Sequence, residues 1–414
     1  MRSYQDLFRT PEFTPLFLSG AAHTAAQTVS GLALGTLVYR ATDSPLLSAL
    51  SMFGPSLAQV AGAATLLSAA DRLPPRAALT GVALAFAAGT AVLALPALPV
   101  GGVFAVVLLL GLAASLGGGV RWGLLTEILP RDGHLLGRSL FNIVNGLTQV
   151  AGYATGAALV AALTPRPALL VSTALYLLAG AGTRLGLTAR PPRVTGRPSP
   201  RATWRTNALL WSSRPRRLLY LALWLPNGLV VGCESLYVSY APDAAGTLFA
   251  CAALGMFTGD VTVGRLLPPA LRRRLPVPLL LLLAAPYLGF FLRPPLPAAA
   301  ALVAVASVGF GASLLQQEHL MALVPDELGG HALGLHSSGM LTAQGLSAAA
   351  AGTLAQLTSP AWAMTAMAAA SVATTGCLAR GLRAGRAALP AAAEAAPGAA
   401  AAAGLAGPVG PAGD

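Results

Sequence analysis

Apolar residues fill this chain in blocks of about 20, the length a helix needs to cross a bilayer. Twelve blocks can be drawn: 13–39, 45–69, 77–98, 101–127, 136–163 and 167–187, then 217–240, 245–266, 276–292, 297–323, 331–357 and 360–381. Short polar or proline-bearing joints separate them. Leu95-Pro96-Ala97-Leu98-Pro99-Val100-Gly101-Gly102 reads as a tight hairpin, and Thr164-Pro165-Arg166-Pro167 and Ser359-Pro360 read as further breaks. Proline cannot continue a helix without losing a hydrogen bond. The pattern predicts an all-α membrane protein with twelve transmembrane helices.

The joints repeat. Leu129-Pro130, Gln149 and Pro165 recur 195 positions later as Val324-Pro325, Gln344 and Pro360. Asp71 with Arg76 recurs 189 positions later as Asp260 with Arg265. One change of loop length absorbs the difference between the offsets. The chain therefore reads as two pseudo-symmetric six-helix bundles, 1–187 and 217–383. A basic linker, 188–216, joins them, and an Ala/Gly/Pro-rich tail, 384–414, is expected to be disordered.

Composition agrees with a lipid environment. Charged residues make up 10% of the chain, against roughly 25% in soluble domains. All 26 basic residues are Arg. If the N-terminus is cytoplasmic, 22 of them fall on the cytoplasmic side, three (Arg40, Arg166 and Arg293) on the other, and Arg121 inside a span. Positive-inside bias then places both termini in the cytoplasm. The Arg-rich linker has no acid and is expected at the inner surface, where anionic lipid attracts such segments. Nucleic-acid binding is not needed to explain the arginines. The absence of Lys beside abundant Ala, Gly, Pro and Arg points to a GC-rich bacterial source, hence a bacterial inner membrane. No cleavable signal peptide is evident, and the first helix is expected to act as an uncleaved insertion signal. Cys233, Cys251 and Cys377 lie in apolar stretches without metal-ligand spacing. No P-loop is present, no enzyme signature stands out, and no cofactor or metal is expected.

At this point the residues resemble the major facilitator superfamily over roughly 10–385. Its loop between helices two and three carries a G-x-L-A-D-R-x-G-R-R type signature. Here Ser68-Ala69-Ala70-Asp71-Arg72-Leu73-Pro74-Pro75-Arg76 keeps the Asp-Arg pair and a closing Arg, with Leu67 and Pro74 where glycines are expected. Gly259-Asp260-Val261-Thr262-Val263-Gly264-Arg265 is the second copy. The run from Leu124 to Arg131, with Gly137-Arg138-Ser139, Asn145 and Gln149, is similar to bacterial drug-efflux-type permeases. Gly152-Tyr153-Ala154-Thr155-Gly156 has Tyr153 where antiporters of that family often carry Pro. The resemblance implies secondary active transport by alternating access, and a conformational gate made by Asp71, Arg72, Arg76, Asp260 and Arg265. Arg76 is expected to reach a nearby acid, with Glu127 a candidate; ordinary interfacial charge is the plainer reading of these loops.

Charge inside a membrane is costly, so Arg121, Glu234 and Glu318 become substrate or proton candidates. Arg121 could pair with a buried acid or hold an anionic substrate group. A carboxylate in an apolar cavity can load and release a proton as the cavity opens to either side. His23 and Gln27 share one face of the first helix. Gln59, Asn142, Asn145, Gln149 and Gln344 are neutral lining candidates or interhelical glue. The expected whole is a monomeric, proton-coupled exporter of a small lipophilic or amphipathic molecule, with a mostly apolar cavity between the halves. Its partners are that substrate, protons and membrane lipid. A nutrient importer of the same fold and a non-transporting membrane scaffold are the alternatives.

Overall fold

The computed structural model describes residues 4–70, 73–96, 98–130, 134–191, 200–272, 274–325 and 328–380. Asp71 and Arg72, two of the expected gate residues, and the expected tail lie outside the described residues. Twelve helices follow the hydrophobic blocks. They are α1 Phe13–Thr42, α2 Pro45–Ala70, α3 Pro75–Leu93, α4 Val100–Ile128, α5 His134–Leu163 and α6 Pro165–Gly186. The second set is α7 Arg214–Tyr240, α8 Ala245–Leu266, α9 Pro276–Leu292, α10 Leu296–Ala322, α11 Gly329–Leu357 and α12 Pro360–Arg380.

Proline sets the starts. Pro45, Pro75, Pro165, Pro276 and Pro360 each open a helix, where the missing N–H has no intrahelical partner to lose. The sequence repeat falls on equivalent breaks: α4 and α10 end just before Leu129-Pro130 and Val324-Pro325, and α6 and α12 begin at Pro165 and Pro360.

Among the described residues nine helices are long and apolar enough to cross a membrane. The other three depart for visible reasons. α9 is shorter, and from Ala285 it tightens into a 3-10 helix that carries Pro286. α1 and α11 span 30 and 29 residues, but His23 and Gln27 in one and His331, His336 and Gln344 in the other dilute their apolar character. Intramembrane polarity of this kind belongs inside a bundle.

The halves meet along two helix pairs, α2 with α11 and α5 with α8. A two-fold operation that carries α1–α6 onto α7–α12 exchanges these pairs, so the interface obeys the internal symmetry. Small residues allow close approach. A Cβ on Gly352 of α11 would fall 2.7 Å from Leu46 Cα, and one on Gly246 of α8 would overlap Ala157 of α5. Two polar contacts between the halves lie at one end. Ser44 Oγ donates to Gln356 Oε1 at 2.7 Å, and exposed Arg40 stands 4.0 Å from Asp243. An apolar cluster closes the same end, with Leu32 of α1 packed among Val231, Tyr237 and Phe249, and Tyr39, Met52 and Tyr153 against it.

The opposite, arginine-rich end is organised within the first half. Arg76 donates from Nη1 to the Leu187 carbonyl at 3.1 Å, tying the start of α3 to one of the unpaired carbonyls that end α6. The candidate pairing of Arg76 with Glu127 is not among the contacts of the described residues. Glu127 faces Arg190 instead, at 3.7 Å. Arg190 also grips Glu12 through two bonds of 2.8 and 3.1 Å, and Thr188 donates to Glu12 from its hydroxyl and its backbone N–H. The expected linker contains a helix, Pro200–Ser212. Its Trp211 stacks on Trp224 at 5.5 Å between ring centroids, which fastens it to α7.

The Glu12 clasp has a pH signature. Burial pushes its carboxyl up, but hydrogen bonds from Thr188 and Arg190 and the Arg190 charge outweigh this and hold it below the ordinary value of 4.5. The clasp is therefore fully present above that value and lost as pH falls through the lowered one. Glu12→Gln is expected to cost roughly 1.5–3 kcal/mol at pH 7, with the difference from wild type shrinking on acidification. Thermal unfolding in detergent at neutral and acid pH checks this; a difference that ignores pH would show that the clasp is not the cause.

Candidate functional site

The first site element is a cavity of about 170 Å³ inside the first half. It lies among α1, α2, α3, α4 and α6, and is distinct from the cavity expected between the halves. Ser19, His23 and Gln27 reach it from α1, Gln59 from α2, Arg121 from α4 and Thr183 from α6, with Leu79, Val82 and Phe86 as an apolar wall. His23 sits edge-on to Tyr176 and Phe86, with ring centroids 5.0 and 5.3 Å away. Arg121 crosses α1 at Gly20, where a Cβ would stand 3.9 Å from its Nε. That Nε is buried with no hydrogen-bond partner among the described residues. Thus Arg121, His23 and Gln27 come together as one constellation, and the lining sets polar groups against an apolar wall.

The second element is a carboxyl among aromatic rings. Glu234 ends the regular part of α7 before the chain turns into Tyr237–Tyr240. It is 8% exposed, and its Oε1 is buried with no hydrogen-bond partner among the described residues. It lies within electrostatic reach of Tyr153, Tyr237, Tyr287 and Cys233. Tyr237 and Tyr287 join through their hydroxyls. Tyr153 of α5 stacks on Phe249 of α8 at 4.9 Å, and Phe249 meets Tyr237 edge-on at 4.8 Å. The first half thus contributes Tyr153 to the surroundings of a second-half acid. Tyr153 entered the sequence reading only as a replacement for Pro; its stacking explains what an aromatic residue does there.

Two neutral bonds sit on equivalent helix pairs. Thr24 Oγ1 of α1 donates to Asn145 Oδ1 of α5 at 3.1 Å, and Gln344 Nε2 of α11 donates to Asn227 Oδ1 of α7 at 3.4 Å. The two-fold that relates the halves carries α1 and α5 onto α7 and α11. Gln149 lies half-buried one turn beyond Asn145.

Other candidates stand apart. Glu318 is exposed on α10 and does not line the cavity. Asp260 and Arg265 are exposed on α8, with Arg265 in a widened turn, Thr262–Leu266. Arg272 caps that turn by donating to Leu267 O at 3.0 Å and Gly264 O at 2.6 Å. In the first half, Arg76 is engaged with Leu187 as described, and Glu127 with Arg190. The residues that sequence reasoning did not single out are Glu12, Arg190, Ser19, Thr183 and Tyr287. Their partners lie far along the chain, and no local motif marks them.

No family model and no curated protein matches the chain. Solved structures do. A peptide transporter POT bound to sulfate aligns with a TM-score of 0.71 at 13% identity, covering 93% of this chain and 99% of that one. The nucleoside transporter NupG aligns with a TM-score of 0.71 at 13% identity, covering 89% and 98%. A bacterial homologue of the human lysosomal transporter Spinster, in an inward-facing and unoccupied conformation, aligns with a TM-score of 0.63 at 15% identity, covering 91% and 92%. The chain is a multi-pass helical membrane protein with the two-bundle fold of major facilitator type.

Proposed function

We propose that this chain is a secondary transporter that exports a small lipophilic or amphipathic molecule across a bacterial inner membrane by alternating access, driven by protons. One observation carries the reading. Two symmetric bundles are sealed against each other at the arginine-poor end through α2/α11 and α5/α8, by the Ser44–Gln356 bond and an aromatic plug. A seal built from two exchangeable helix pairs is one that rocking can break and remake on the other side. Transport by the fold neighbours, of peptides and nucleosides by their names, supports the same reading. Positive-inside bias in the arginines supports a sealed end outside and both termini in the cytoplasm.

Glu234 is the proton carrier in this scheme. In the sealed state it is buried with no cation beside it among the described residues, a setting that suits the neutral acid. Opening the outer end separates Tyr153 from Phe249 and wets the carboxyl. Asp260 and Arg265, exposed near the inner end of α8, with Asp71, Arg72 and Arg76, bias the switch from the inner side.

The polar lining around Arg121 favours a second reading, uptake of a nutrient by the same cycle. Direction is tested in cells that express the chain, with an anionic and a cationic fluorescent dye as probes, with and without a proton uncoupler. Export predicts lower dye accumulation that the uncoupler restores. Higher accumulation would move the assignment to import, and no difference from cells that lack the chain would leave a scaffold.

A further inference from the structure

Arg121 poses a charge problem that the described residues do not solve. The other arginines of the first-half helices, Arg40, Arg76, Arg138, Arg166 and Arg184, lie within the first or last turns, near the bilayer surface. Arg121 lies two turns inside α4. A guanidinium stays protonated in proteins, and its charge at the centre of a spanning helix costs roughly 2.5–3.5 kcal/mol even on the lenient insertion scale. No acid sits in α1, α2, α3, α5 or α6. The single acid of α4, Glu127, is six residues further on, roughly 9 Å along the axis, and faces Arg190.

The cavity lining is arranged around that charge. His23, Gln27, Gln59, Ser19 and Thr183 bring amide, hydroxyl and imidazole groups to the same space, and no lining residue is an acid. Behind them Val82 and Phe86 make an apolar wall. This is a pocket with one fixed positive charge, several neutral polar groups and a greasy side. A dianion would leave one negative charge uncompensated, and a neutral molecule would leave the guanidinium so. A single carboxylate balances it, and the guanidinium fork matches its two oxygens.

We infer that the first-half cavity is a binding site for an organic monocarboxylate, held by Arg121 through its head and by the Val82/Phe86 wall through its apolar body. The carboxylate supplies the counter-ion that no described lining residue provides. Neutral polar groups from α1, α2 and α6 fix its orientation, so the bound anion ties α4 to three other helices of the bundle. Calling this molecule the cargo rests on the transport reading; the site itself does not.

The test uses the purified full chain in detergent and titration calorimetry with acetate, propionate and benzoate, each against its neutral amide. At least one acid is expected to bind about tenfold or more tightly than its amide, and Arg121→Gln should remove that preference. Arg121→Lys keeps the charge without the fork and should retain part of it. It also serves as the folded reference should the Gln variant not fold, together with Gln59→Leu, which should weaken the acids and spare the charge. Acids and amides binding alike, an Arg121→Gln chain that still prefers the acids, or chloride competing as well as the acids would each overturn the inference. Carboxylate binding in a chain that moves nothing across vesicles would leave this site standing and sink the transport reading. Dye transport without carboxylate preference would do the reverse.

Discussion

Exchanging Glu234 for Gln is expected to abolish uphill movement of the substrate while leaving downhill exchange intact. The carboxyl is enclosed by rings from both halves, and its Oε1 has no hydrogen-bond partner among the described residues. Burying an unpaired carboxylate costs several kcal/mol, so in the proposed cycle the sealed state carries the proton. Gln has nearly the same shape and is always neutral. The sealed state should therefore form readily, yet it can no longer be linked to proton uptake. Vesicles with an imposed pH gradient read the first effect, and counterflow without a gradient reads the second. Gradient-driven accumulation by the Gln chain at the wild-type level would remove Glu234 from the coupling path. Loss of both activities would mark it instead as a structural member of the plug.

Gly246→Val should hold the arginine-poor end apart. A Cβ at this position overlaps Ala157 on α5, and overpacking a tight contact costs typically 1–3 kcal/mol. Because the contact joins the two halves, the cost falls on the sealed state and not on either bundle alone. A shift of that size changes the ratio of sealed to open molecules by roughly 5- to 150-fold. The readout is a cysteine pair replacing Ser44 and Gln356, whose side chains touch at 2.7 Å in the sealed state, in a chain with Cys233, Cys251 and Cys377 changed to Ser. Oxidative crosslinking should fall steeply in Gly246→Val and partly in Gly246→Ala. Undiminished crosslinking would mean that the halves do not separate along α5 and α8.

The fold was legible because the bilayer enforces it. Twenty-residue apolar blocks leave little freedom, and Pro165 and Pro360 mark equivalent starts in each half. Glu234 and Arg121 were legible for the same reason, since charge in an apolar block stands out. What surrounds them was not. The Arg121 cavity is assembled from five helices, and the Glu12–Arg190 clasp joins positions 178 apart in sequence. No periodicity carries information over that separation. The linker helix Pro200–Ser212 was hidden by a composition of Arg, Pro and Ser that reads as loop, although Trp211 had an aromatic partner waiting on α7. The Arg76 assignment went to a carbonyl and not an acid because helix ends supply acceptors that no sequence pattern reveals.

Glycine brings three helices of the second half into backbone contact. Built Cβ atoms would stand 3.0 Å or less from Ala304 at Gly255, from Val308 at Gly259 and from Leu283 at Gly309, which joins α8 to α10 and α10 to α9. With no side-chain layer between them, these helices have nothing soft to slide on, and interiors packed this tightly transmit strain without absorbing it. A spectroscopic label on the lipid-facing end of α9, at Leu292 (74% exposed), should then register displacements that begin on α8 some distance away, while touching neither the plug nor the cavity.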